Sequence, residues 1–124
     1  MSSLKIFVGW DSREDIAYQV CRASLLKHTS LELDIVPIKQ KHMREKNLYW
    51  REHDPLSSTE FTFTRFLVPY LAGYKGWALF MDCDFMWRGD VSTVLDYCDN
   101  EKSVLVVKHT YNPPEKTKMD GGVS

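Results

Sequence analysis

Two aspartates one residue apart, Asp82 and Asp84, directly follow an apolar run, Trp77-Ala78-Leu79-Phe80-Met81. The run reads as a buried strand of a parallel sheet. On an extended backbone, side chains two apart point the same way. Both acids would then project from one side of the strand end, with Cys83 facing the other way. Two such carboxylates repel each other unless a cation lies beside them. Oxygen-only ligands select a hard divalent ion, Mn²⁺ or Mg²⁺, over zinc. In open α/β sheets, ligands bind in the crevice beyond the carboxyl ends of the strands. The pattern points to a metal site at the rim of a sheet. Aspartate also caps turns and helix starts; here a separate turn with Gly89 and Asp90 follows before the next helix.

The elements that must position this pair follow from the hydrophobic pattern. Leu4-Lys5-Ile6-Phe7-Val8 reads as a first strand that ends at Gly9. Gly9-Trp10-Asp11-Ser12-Arg13 is a strand-to-helix loop in which Asp11 or Ser12 can cap the following helix. Ile16, Val20 and Ala23, widened by Ala17, Leu25 and Leu26, predict an amphipathic helix reaching about Lys27. Leu33-Asp34-Ile35-Val36-Pro37-Ile38 is a second strand, placed near an edge because Pro37 cannot donate to a ladder. Residues 39–58 read as a solvated loop or short helix with a basic cluster, in which Tyr49 and Trp50 are expected to pack over a pocket.

A second helix is predicted from Ser57-Ser58-Thr59-Glu60, with Phe63, Phe66, Leu67 and Leu71 on its apolar face and a kink or restart at Pro69. Asp90 can cap a short helix carrying Val91, Val94 and Leu95. Ser103-Val104-Leu105-Val106-Val107 predicts a fourth, interior strand. The βα alternation gives an α/β fold, a mostly parallel sheet with helices on both faces in a minimal Rossmann-like arrangement. Gly9-Trp10-Asp11, Asp82-x-Asp84 and Lys108-His109 would share one sheet edge. Neither a P-loop nor G-x-G-x-x-G is present, which disfavours a dinucleotide fold.

With 124 residues there is room for one domain. A net charge of -1 argues against a broad nucleic-acid surface. Three widely spaced cysteines, Cys21, Cys83 and Cys98, without C-x-x-C suggest free thiols in a reducing compartment. The N-terminal apolar stretch is too short to span a membrane and lacks a signal-cleavage pattern, so the expected location is cytoplasmic.

The strand ending at the W-D loop, then T-F-T-R-F-L-V-P, then W-A-L-F-M-D-C-D-F-M-W-R-G-D-V, resembles the nucleotide-sugar-binding half of GT-A-fold glycosyltransferases. Within them it is most similar to the glycosyltransferase family 8 group and related bacterial and phage sequences. The likeness covers nearly the whole chain, including a final K-M-D-G, residues 118–121. The resemblance implies a single nucleotide-sugar-binding GT-A-like domain over residues 1–124, acting on a UDP-sugar such as UDP-glucose. It implies that Val8, Gly9, Trp10 and Asp11 hold the nucleobase through backbone groups and the Asp11 carboxylate, with Arg13 near the base or phosphates. Asp84 would ligate Mn²⁺ or Mg²⁺ on the donor diphosphate. Asp82, with Cys83 beside it, would contact the ribose and assist the metal. Arg65 would face the diphosphate or donor sugar, or pair with Glu60 or Asp82. Asp82, Asp84 and Arg65 are thus the catalytic candidates. A metal and an arginine suit the chemistry, because the departing nucleoside diphosphate concentrates negative charge.

Family members usually continue for about as many residues again. That half carries the acceptor site and, in family 8, a metal-binding histidine. His109 is a weak substitute, since a strand-end histidine is more often a neutral hydrogen-bonding group. With the acceptor half absent, water becomes an acceptor and slow nucleotide-sugar hydrolysis is expected. Edges left exposed favour a homo-oligomer. Two further readings are a non-catalytic nucleotide-sugar-binding module and a haloacid-dehalogenase-like phosphatase, which also places D-x-D after an apolar strand. In the phosphatases a Thr or Val usually follows the second acid by two residues, where this chain has Met86.

Overall fold

The computed structural model describes residues 4–106. Three parallel strands form its sheet: β1 (Leu4–Gly9), β2 (Leu33–Ile38) and β3 (Ala78–Asp82), in the order β2-β1-β3. β1 is therefore the centre, and its Ile6 and Val8 are fully buried. Pro37 lies in register with Val8 on β2, an edge strand whose outer side needs no donor. β3 is the other edge among the described residues, and its Ala78, Leu79 and Phe80 are only half-buried. The expectation of a fully buried strand before the acids holds for Met81 alone.

Helices cover both faces. α1 (Asp15–His28) packs with Ile6, Val8 and Met81 through Tyr18, Cys21 and Leu25. Of the predicted stripe, Leu25 is fully buried and Ala17 packs against the core, but Ile16 is 81% exposed and Val20, Ala23 and Leu26 face solvent. The buried set includes Ser24, whose Oγ donates to the Cys21 carbonyl at 2.8 Å and accepts from the Trp87 N–H at 2.8 Å. A polar residue occupies the core because both its donor and acceptor are satisfied.

On the opposite face lie α2 (Gln40–Glu45), a 3-10 turn (Thr64–Leu67) and α3 (Val68–Leu71). Met43, Leu67, Val68, Leu71 and Ala72 pack there with Phe7 and Ile38. The long helix predicted from residue 57 is thus mostly turn, with α3 restarting where Pro69 sits in its first turn. Phe66, expected on the apolar face, is 71% exposed, whereas Phe61 is buried against Gly9. Only glycine fits at position 9, since a Cβ would lie 2.5 Å from the Phe61 ring.

Asp90 caps a 3-10 segment (Val91–Tyr97), as expected. Residues 103–106 form no strand: Val104 and Val106 are 75% and 82% exposed, which corrects the interior assignment. A parallel strand is stabilised by its neighbours rather than by its own apolar content, and this segment has none in the described sheet. Val107, Lys108, His109 and the K-M-D-G lie outside the described residues. Among those described, no helix is long and apolar enough to cross a membrane.

Candidate functional site

The carboxyl ends of the strands fall at one level, with Gly9 in register with Ile38 on one side and Asp82 on the other. Asp82 is half-buried as the last residue of β3. Asp84 is exposed and lies in the turn beyond it. The same-side expectation required extended backbone through Asp84, so strand alternation does not set its direction. The negative charge of Asp84 is felt instead at Cys21 and Cys83, in the α1-facing core. Burial first, then Asp84, pushes the Cys21 thiol up to about 11. Burial, a hydrogen bond to Glu14 and the charges of Glu14 and Asp84 push the Cys83 thiol up to about 12. The Cys83 Sγ donates to Glu14 Oε2 at 3.4 Å and is 1% exposed, so Cys83 acts as a core residue behind the acids.

Among the described residues no group of three or more His, Cys, Asp and Glu side chains could hold a metal ion by itself. Mg²⁺ and similar hard ions are commonly held by one or two carboxylates together with substrate phosphates. Asp82 and Asp84 are two carboxylates one residue apart, which is too few ligands for a closed structural site.

Asp11, at the same rim, is fully buried. Its Oδ1 accepts from the Arg13 N–H and Nε at 2.9 and 3.0 Å, and its Oδ2 from Arg13 Nη2 at 2.9 Å and the Glu60 N–H at 3.0 Å. Burial alone would raise the Asp11 carboxyl, but these bonds and the guanidinium charge outweigh it and hold the carboxyl below its ordinary value. Glu60 answers across the loop, accepting from Ser12 N–H at 3.0 Å and Ser12 Oγ at 2.7 Å. Arg13 also donates to the Ser58 carbonyl at 2.8 Å. Both oxygens of Asp11, the carboxylate expected at the nucleobase, are engaged inside the protein, where Asp11 locks residues 11–13 to residues 58–60.

Beside this lock is a cleft of about 300 Å³, lined by Arg13, Gln40, His53, Pro55, residues 57–59 and Glu60. Its size is at the small end of ligand sites. Gln40 Nε2 donates to the Glu60 carbonyl at 3.2 Å, fixing one wall. Val8 and Gly9 are buried in the strand below, and the Trp10 N–H donates to the Ile38 carbonyl at 3.3 Å. The Trp10 indole donates to Asp15 Oδ1 at 2.9 Å, with Lys39 Nζ 4.7 Å from the ring centroid. Arg65 is exposed, its guanidinium 5.2 Å from the Phe66 ring centroid; Glu60, one partner foreseen for it, is taken by Ser12. Trp50 is 82% exposed and does not line the cleft.

Gln40, His53 and Glu60 were not foreseen as site residues. Glu60 had a local signal as a helix-start acid, but its bonds reach back 48 residues, which no local pattern reveals.

No family model matches the chain, and no solved structure does. The chain is similar to Protein CDI of Arabidopsis thaliana. The two are 51% identical over 119 residues, which is 96% of this chain and 46% of the plant protein. The chain thus spans about half the length of the curated relative it matches.

Proposed function

We propose that this chain is the nucleotide-sugar-binding part of a metal-dependent glycosyltransferase of the hexosyl type, taking a UDP-sugar such as UDP-glucose. The observation that carries this reading is one of placement. Asp82 ends β3 in register with Gly9, so the Gly9-to-Arg13 loop and the turn bearing Asp84 leave the same end of the sheet, and Arg13 and Gln40, which follow β1 and β2 there, line the 300 Å³ cleft. A nucleoside in the cleft, between Arg13 and the hydroxyl-bearing residues 57–59, would direct its diphosphate toward the acids. Asp84 and Asp82 would hold Mn²⁺ or Mg²⁺, whose chemistry there is to neutralise the charge of the departing nucleoside diphosphate.

The chain's own residues have distinct parts in this. Asp11 and Glu60 fix the loop that bears Arg13, so the cleft wall is set before any ligand arrives. Cys83, buried behind the turn, keeps the acid-bearing backbone seated on the core. Where no acceptor is engaged, water takes the sugar and turnover is slow hydrolysis.

Calorimetry with UDP and Mn²⁺ tests the reading. Binding that requires the metal and weakens at least about tenfold in Asp84→Ala, a change of about 1.4 kcal/mol, is expected. Metal-independent binding, or none, removes it. A sensitive UDP-release assay on UDP-glucose then separates an enzyme from a module that binds without turnover.

A further inference from the structure

The layer formed by α2, the 3-10 turn and α3 packs as a unit on one sheet face, through Met43, Leu67, Leu71 and Ala72. Its outward sides therefore share one surface. This layer and the loops that flank it carry exposed aromatic rings: Trp50 is 82% exposed, Phe66 71%, Tyr70 53% and Tyr74 75%. The last three recur every four residues, and the rings of Tyr70 and Tyr74 meet edge-on at 6.3 Å. Arginine stacking ties the loop of Trp50 to this layer. The Arg51 guanidinium lies 3.8 Å from the Phe63 centroid, and Arg44, 4.6 Å from the Tyr49 centroid, donates to the Arg51 carbonyl. Trp50 is thus held outward on a braced loop.

The charge of the same elements departs from that of the chain. Residues 39–81 contain seven Lys or Arg against four Asp or Glu, whereas the whole chain has a net charge of -1. Residues 61–81 contain no acid at all. On the other sheet face the large apolar side chains that α1 exposes are all aliphatic, and the segments packed beside it expose single rings, Phe85 at 47% and Tyr97 at 76%.

We infer that the outer face of the α2–α3 layer docks on an anionic lipid surface. Tyrosine and tryptophan have an apolar body and a polar tip, which suits the headgroup level of a bilayer. Lysine and arginine are drawn to an anionic leaflet over about a Debye length. Reversible peripheral binding needs both apolar insertion and charge attraction, and here the two are combined on one face. Exposed Lys41, Lys46 and Lys75 supply cations that are free to meet headgroups.

Co-sedimentation of the chain with phosphatidylcholine vesicles, with and without phosphatidylserine, tests this. Binding to the serine-containing vesicles should be about tenfold stronger than to neutral ones and should fall at high salt. The double variant Trp50→Ala, Tyr74→Ala should lose about tenfold of that binding. Lys41→Gln, Lys46→Gln, Lys75→Gln, which keeps every ring, should bring anionic binding down toward the neutral level. All of these positions are exposed, and a circular-dichroism spectrum unchanged from the parent checks that the variants fold. No sedimentation with either vesicle, equal binding to both, or binding unaffected by the two variants overturns the inference. So does single-stranded DNA that binds as tightly as the anionic vesicles and depends on the same lysines.

Discussion

The Glu60 N–H donates to Asp11 Oδ2 at 3.0 Å while the Glu60 carboxylate accepts from Ser12, so two loops 49 positions apart hold each other by exchange. Asp11 has no exposed surface and its partner Arg13 is largely exposed, so the pair spans the boundary between core and solvent. Removing the carboxylate strands the Glu60 and Arg13 N–H groups. Asp11→Ala should cost about 3 kcal/mol of folding stability, read by urea denaturation. Asp11→Asn, which keeps one acceptor, should cost less. Equal stability of Asp11→Ala and the parent would show that the exchange does not hold the loops.

Gly9 and Phe61 give a prediction of different physical origin. A methyl at position 9 would meet the ring at 2.5 Å, and that ring is buried and also 6.4 Å from the Phe80 centroid. Gly9→Ala should therefore destabilise by about 1–3 kcal/mol through overpacking. Adding Phe61→Leu should recover part of the loss, a coupling that a double-mutant cycle measures directly. Strict additivity would place the clash elsewhere.

Asp90 links the segment after α1 to the segment after the acids, accepting from the Ser30 N–H and the Ser92 N–H at 2.9 Å each. Hydrogen bonds from Ser30 and Ser92 lower its carboxyl to about 2. A depressed folded-state value means that the contribution is fully present above the unfolded value, about 3.9, and is lost as pH falls toward about 2. The difference in melting temperature between the parent and Asp90→Asn should be constant above about pH 5 and shrink below about pH 4. Comparing the two proteins at each pH cancels the contribution of Asp11, whose carboxyl is also lowered. A difference that stays constant down to pH 2 would assign no protonation linkage to Asp90.

Buried thiols held near 11 and 12 are poor nucleophiles at neutral pH. Cys21 and Cys83 should resist a thiol-specific reagent in the native protein, and half-buried Cys98 should label first. Peptide mass spectrometry at intervals distinguishes the three. Cys21 and Cys83 should react only in step with unfolding by urea, and early labelling of Cys83 would mean that the turn at 83–84 opens on its own.

Much of this architecture was legible in the sequence where side-chain pattern and backbone demand coincide. β1, β2 and β3 are apolar runs with clear ends, α1 has Asp15 in its first turn and Lys27 and His28 in its last, and Asp90 caps the segment Val91–Tyr97. Legibility failed where long-range partners decide. Ser24 is inside because Trp87, far along the chain, supplies the donor that makes a buried hydroxyl acceptable. Phe61 rather than Phe66 is buried because Gly9 leaves room for its ring. At the rim, the position of the acids was readable from the end of β3. The engagement of Asp11 with Glu60 was not, since it depends on how two distant loops meet.

The two acids at the end of β3 should separate by experiment because they sit in different environments. Asp84 is exposed in a turn, so Asp84→Asn should change stability by no more than about 0.5 kcal/mol. Asp82 is half-buried on the strand in register with Gly9, and its substitution should cost more. On the proposed function, either change should weaken Mn²⁺-dependent UDP binding at least about tenfold. Asp84→Asn carries a second signature that ligand binding does not share. Its charge raises the thiols of Cys21 and Cys83, so neutralising it should lower both, read residue by residue as the pH at which each cysteine's ¹³Cβ resonance moves in the folded protein. Lost UDP binding with unmoved thiols would place the Asp84 carboxylate away from the α1-facing core. Moved thiols with retained UDP binding would leave Asp84 as a neighbour of the core and remove it from the metal site.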